Sequence, residues 1–214
     1  MPIKIHHKLE DTELIEKKSS ARSTLAILVI GVFHGEEPQG AYIINRYLKK
    51  RDFKDINNHL FFIPCLNPFG MKRGIRVNSN GVDLNRNYPT KNWELTIKDE
   101  NYSGMAPASE VETKFMIEVL EKVKPDVILT LHAPLKLVNY DGPAKHMAEK
   151  IAEICGYPVQ KDIGYSTPGS FGTYCGIERN IPTITLEFDE EESNKSLYNK
   201  AEAVLDYLSN LPFK

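Results

Sequence analysis

Short apolar runs and stretches of helical period take turns along the chain. Leu25-Ala-Ile-Leu-Val-Ile30 is unbroken, the form of a strand buried on both faces. Beyond it Ala41, Ile43, Ile44 and Leu48 recur at helical spacing, and Lys49, Lys50 and Arg51 collect where a helix dipole favours cations. Leu60-Phe-Phe-Ile63 predicts a second buried strand. Ser109-Glu-Val-Glu112 reads as a capping box, opening a helix with Val111, Phe115, Val119, Leu120 and Val123 as its apolar face and a stop before Pro125. Asp126 to Leu131 is a third strand, with His132 at its C-terminal end. Met147, Ile151 and Ile154 predict a helix ending near Gly156, and Ile181 to Leu186 a strand that delivers Glu187. Ser196 to Leu211 closes the chain as a helix. Residues 1 to 22 are polar, and His6, His7, His59 and His146 are expected at the surface.

This alternation predicts an α/β fold in a single domain over 1–214: a mixed, largely parallel sheet flanked by helices on both faces. Such sheets place their sites at the C-terminal ends of strands, where His34, His132 and Glu187 all fall. One stretch breaks the rhythm. From Leu66 to Pro107, roughly forty residues rich in Gly, Asn, Pro and charge show no period, too many for a plain connector. They hold Asn67-Pro-Phe-Gly70, Arg76-Val-Asn78 and Gly81-Val-Asp-Leu-Asn-Arg-Asn-Tyr-Pro89, too patterned to read as disorder.

Composition narrows the function. With 41% hydrophobic and 26% charged residues, the 214-residue chain is an ordinary globule able to bury a substantial core. A formal charge of -2 gives no argument for a nucleic-acid partner or an acidic membrane surface. Cys65, Cys155 and Cys175, an odd number without CxxC spacing, are expected to be reduced and buried. The N-terminus lacks an apolar core followed by a cleavage site, and no apolar segment nears the roughly 20 residues that span a bilayer. The expectation is a cytoplasmic enzyme.

The first strand leads into Gly31-Val-Phe-His-Gly-Glu-Glu-Pro-Gln-Gly40, which brings His34 and Glu37 together in HxxE register. A neutral imidazole and a carboxylate are ligands zinc accepts, and a catalytic site takes a third, here His132. Zinc so held would polarise a scissile carbonyl and acidify a bound water, with Glu187 as general base. Arg76 would donate to the developing oxyanion. Asn85 and Arg86 would form a fork for a substrate carboxylate, to which a planar guanidinium is well shaped. Glu36 and Arg73 are the neighbouring alternatives to Glu37 and Arg76, and the HxxE and Arg-x-Asn registers set them aside. Asp83 is expected to hold the Asn-Arg turn, and Asn67 to shape the loop. Gly169 and Ser170 are expected to begin a helix beside the cleft.

HGEE, NPFGMKRGIRVNSNGVDLNRNYP, YSGMAPASEVET, TLHAP, GYSTPGSFGTY and TLEF, in this order between Gly31 and Phe188, resemble the zinc carboxypeptidase family. The resemblance implies one zinc ion per chain on His34, Glu37 and His132. It makes Glu187 the general base, Arg76 the oxyanion stabiliser, and Asn85 with Arg86 the clamp on the C-terminal carboxylate. Tyr165 falls near the family's mobile tyrosine, although the segment after it is one residue shorter than in digestive members. The chain is also much shorter than those enzymes and is not expected to carry a propeptide. It is therefore not expected to be a secreted zymogen, and its cleft is expected to be open enough for a branched or D-configured peptide. The resemblance runs to short bacterial members that cut the γ-D-glutamyl–diaminopimelate bond of murein peptides. An N-acyl amino acid deacylase, like aspartoacylase or succinylglutamate desuccinylase, is the alternative, because those share HGxE and DLNR motifs. A catalytically inert binding module is a third reading, opposed by the complete set of ligand, base and arginine positions.

Overall fold

Apolar runs too short for helices pair into a six-stranded sheet. In the computed structural model, which describes residues 3–212 apart from Lys8, Arg22 and Ser23, the strands are β1 (Ile15–Lys17), β2 (Ala26–Gly31), β3 (His59–Ile63), β4 (Val127–His132), β5 (Leu137–Asp141) and β6 (Thr183–Glu187). They lie in the order β1-β3-β2-β4-β6-β5. The four central strands are parallel, and the edges β1 and β5 are antiparallel to their neighbours. The helices are α1 (Gln39–Lys50), α2 (Pro68–Arg73), α3 (Val111–Val123), α4 (Lys145–Cys155) and α5 (Asn194–Ser209).

Alternate residues of each central strand enter different cores, which is why β2 shows no polar position. Ile27 and Val29 join one cluster with Ile43, Ile44 and Tyr47 of α1, Ile151 of α4 and Val204 of α5. Leu28 and Ile30 join another with Phe115, Met116 and Val119 of α3. The expected α/β architecture with helices on both faces is therefore present. The three cysteines are free and buried, as expected. No described helix is long and apolar enough to cross a membrane.

Local expectations needed correction. Ser109 does not cap α3: Glu110 occupies the cap without a side-chain bond, and the Ser109 hydroxyl donates to Glu110 Oε1 instead. Val111 is exposed, and Met116 takes its place on the buried face. α5 begins earlier, where the Ser193 hydroxyl accepts from Ser196 N. The edge strands β1 and β5 had no sequence prediction. His59 is half-buried in β3 and accepts from Ser19 N, whereas His6 and His7 are exposed as expected, with their ring nitrogens against Glu118.

Candidate metal centre and active site

Three segments far apart in sequence meet at the C-terminal edge of the parallel strands. After β2 the chain turns through Val32, whose φ of 52° is rare for a β-branched residue. Gly35 then passes against Gly70, so closely that a Cβ would lie 2.0 Å from the Gly70 carbonyl carbon. Only glycine fits there. The turn leaves His34 and Glu37 pointing inward beside His132, the last residue of β4, which pairs directly with Glu187 of β6.

His34 Nδ1 lies 2.7 Å from Glu37 Oε1, and His132 Nδ1 lies 2.9 Å from Glu37 Oε2. All three side chains are buried, and one donor atom from each lies within 4.8 Å of the others. Burial disfavours charge on His34, but the neighbouring Asp83 and Glu37 carboxylates outweigh it and raise its pKa to about 9. Burial works against the Glu37 carboxylate, and the two histidines hold its pKa down at about 2. Two imidazoles and a carboxylate, converging and dry, form a donor set that suits zinc. Zn–ligand charge would replace the charge that the buried histidine and carboxylate now supply to each other.

Asp83 does more than hold a turn. Its carboxylate accepts from Asn85 N at 2.7 Å, opening the short 3₁₀ turn Leu84–Arg86. It also lies 3.1 Å from His34 Nε2 and accepts a two-pronged bond from Arg76 Nε and Nη2 at 3.1 and 2.8 Å. A carboxylate on the far nitrogen of a ligating histidine fixes its ring and tautomer. Asp83 thereby couples a ligand candidate, a guanidinium and the Asn-Arg turn. The motif contained this residue, but its link to His34, 49 residues away, had no local signal.

The remaining predicted residues line the same cavity, of about 450 Å³. Arg76 is among them, 3.9 Å from Glu37 Oε1, whereas Arg73 lies outside, stacked on Phe69. Glu36 is exposed and reaches Arg76 at 3.7 Å. Asn85 Oδ1 accepts from Phe171 N, and Arg86 Nη1 donates to the Asn85 carbonyl. Tyr165 lies on the exposed rim of the cavity. Glu187 Oε2 is buried and, among the described residues, meets no hydrogen-bond partner, and burial raises the carboxyl's pKa. An orphaned carboxylate oxygen beside two histidines and a glutamate is what a metal-assisted general base requires. Thr130, Thr185, Asn139 and Asp141 also line the cavity and were not foreseen. The alternation of Asn139 and Asp141 with Val138 and Tyr140 is the signal that marks them.

The profile of the family described as Zinc carboxypeptidase matches residues 4–196. Murein peptide amidase A of Escherichia coli (strain K12) is 31% identical over 204 residues, covering 88% of this chain and 83% of that one. The amidase of the same name from Vibrio campbellii is 28% identical over 198 residues, covering 86% and 78%. The crystal structure of murein-tripeptide amidase MpaA from Escherichia coli O157 superposes with a TM-score of 0.79 at 28% identity, over 93% of this chain and 87% of that one. Carboxypeptidase A from Helicoverpa armigera has the same fold, with a TM-score of 0.70 at 13% identity over 91% and 67% of the two chains.

Proposed function

The chain belongs to the zinc carboxypeptidase family and is a metallopeptidase-type hydrolase, and from that premise we propose that it cleaves the γ-D-glutamyl–meso-diaminopimelate amide of small murein peptides. Residues 1–214 act as one catalytic domain, with one Zn²⁺ held by His34, Glu37 and His132. The observation that carries this reading is the Glu187 oxygen, buried and without a partner in a cavity that also holds two guanidinium groups. The names of the relatives support murein peptide as the substrate.

Zinc, when bound, supplies Lewis acidity that polarises a carbonyl and acidifies water. The chain's own groups do the rest. Arg86 and the Asn85 amide hold the free carboxylate of the residue being released, and Tyr165 closes over it from the rim. Glu187 Oε2 takes a proton from the attacking water and hands it to the departing amine. Arg76, kept charged by Asp83 despite its burial, donates to the oxygen on which negative charge develops. Asp83 keeps the His34 ring and the Arg76 guanidinium aimed.

The test is incubation of L-Ala-γ-D-Glu-meso-diaminopimelate with purified protein, with and without a chelator, read by mass spectrometry. Free diaminopimelate is expected, and the chelator should abolish its release. No release from protein shown to hold one zinc per chain rejects this substrate, and turnover of succinyl- or acetyl-amino acids would then establish an N-acyl amino acid deacylase.

A further inference from the structure

The turn between Arg76 and Asp83 is held from outside the cavity. Asn78 closes it: its backbone N donates to the Val82 carbonyl at 2.9 Å, and its Oδ1 accepts from Asn80 N and Val82 N, each at 3.0 Å. Arg76 precedes this closed turn by two residues and Asp83 follows it by one. The turn therefore sets the span across which the two-pronged bond from Arg76 to Asp83 forms.

The other end of the Asn78 side chain reaches the start of α3. Its Nδ2 donates to Glu110 Oε2 at 2.8 Å and to Glu112 Oε2 at 3.1 Å, and Asn80 Nδ2 donates to the same Glu110 oxygen at 2.7 Å. The Ser109 hydroxyl donates to Glu110 Oε1. Asn78, Glu110 and Glu112 are all buried. Two carboxylates thus share one amide nitrogen, and what meets them among the described residues is amides and a hydroxyl, not a lysine or arginine. The positive end of α3 favours charge here. Burial, seconded by the charge of Glu110, still raises the Glu112 pKa. Burying two acids this way is costly, and capping does not explain it, because the Glu110 side chain makes no cap bond to α3. Their outer oxygens converge on the turn instead.

We propose that Glu110 and Glu112 are positioning residues for Arg76: gripping Asn78 from α3, they lock the turn that aims the guanidinium at the oxygen gaining charge. The inference rests on the reading above that Arg76 stabilises that oxygen. Neither acid lines the cavity, so neither touches the substrate. A donor displaced by about an ångström can cost on the order of a hundredfold in rate. Because the interaction is made only in the transition state, the loss falls on kcat and leaves KM nearly alone.

The experiment is a double-mutant cycle on zinc-loaded protein with L-Ala-γ-D-Glu-meso-diaminopimelate as substrate. Glu110→Ala is expected to lower kcat by about 10–100-fold with KM within about threefold. In an Arg76→Ala background the same change should cost less than about threefold, because the group it aims is gone. Glu110→Gln should restore kcat to within about threefold of wild type, since its side-chain oxygen can accept from both asparagines while its NH₂ donates to Ser109 Oγ. Additive losses in the cycle, or a Gln variant as impaired as the Ala variant, overturn the assignment. If Glu110→Ala does not fold, Asn80→Ala at the exposed tip of the turn replaces it in the cycle, with an expected loss of about three- to tenfold in kcat. If the wild type does not cleave the peptide, the proposed substrate fails on its own. Exchange of the Arg76 Nε proton, followed by NMR, then decides the positioning role. Bonded to Asp83, that proton should exchange several times more slowly in the wild type than in the variant, and equal exchange rejects the role.

Discussion

Glu187 and Asp83 are both carboxylates at the centre, and their surroundings give them opposite tasks. Asp83 is saturated by Asn85 N, His34 and Arg76, and although burial opposes its charge, the positive groups around it hold its pKa far below the carboxylate range. It stays ionised and fixed. Glu187 leaves one oxygen bare and is pushed up by burial, which makes it the more basic of the two carboxylates. Glu187→Gln should therefore lower kcat by about 10²–10⁴-fold while zinc per chain is unchanged, as read by metal analysis beside steady-state kinetics. Loss of zinc in that variant would make Glu187 a ligand instead. Asp83→Asn should weaken zinc binding by about 10–100-fold in a competitive chelator titration, because His34 loses the partner that orients its ring. The ligand candidates and the base were legible because each ends a buried strand or sits in a short motif. Asp141 and Asn139 were missed although they alternate with Val138 and Tyr140, because that pattern is one short edge strand whose polar positions face a cavity.

Among the elements, the runs that became β2, β3, β4 and β6 could be read directly, since strands buried on both faces show no polar interruption. The edges could not: β1 is three residues in a polar segment, and it exists because Ile15, Glu16 and Lys17 find open backbone on β3. The long stretch after Leu66 has order of another kind. Asn67, Asn78 and Asn87 each use both ends of the side-chain amide, as when Asn87 donates to the Ser103 and Ala106 carbonyls and accepts from Thr113 Oγ1 and Glu110 N. Such bonds carry no period along the chain. The N-terminal segment is docked by a similar device, in which the amides of His6 and His7 donate to the two oxygens of Glu118 on α3. Those bonds, the His7 amide first, lower the Glu118 pKa from 4.5 to about 2. A depressed carboxyl stabilises docking fully above the unfolded value, and that contribution is lost as pH falls from about 4.5 towards 2. Amide exchange at His6 and His7 should be slow and constant from pH 7 to 5 once corrected for intrinsic rate, then accelerate below it. Glu118→Gln should show the faster exchange already at pH 7. Equal protection in the variant would mean that Ile3, Ile5 and Leu9, packed on the second core, dock the segment alone.

Across the whole molecule, the centre joins the turn after β2 to the end of β4, and through Asp83 to the Asn-rich loop. These segments are separated by tens of residues, and each has little regular structure of its own near the site. A ligand that binds only their folded arrangement stabilises the fold by mass action, by about 2.7 kcal/mol at a hundred times its Kd. For a chain of this length each kcal/mol moves Tm by about 2–4 °C, so stripping zinc should lower Tm by about 5–10 °C and restoring it should reverse the change. Variants separate this linkage from catalysis. Glu187→Gln, which removes the proposed base and no ligand, should keep the full zinc-dependent rise in Tm although its turnover is lost. Glu37→Gln should lose that rise, because the carboxylate between His34 and His132 is replaced by a neutral amide. A zinc effect that survives Glu37→Gln would place the ion elsewhere, and with it the water-activating chemistry that the Glu187 oxygen is positioned to serve.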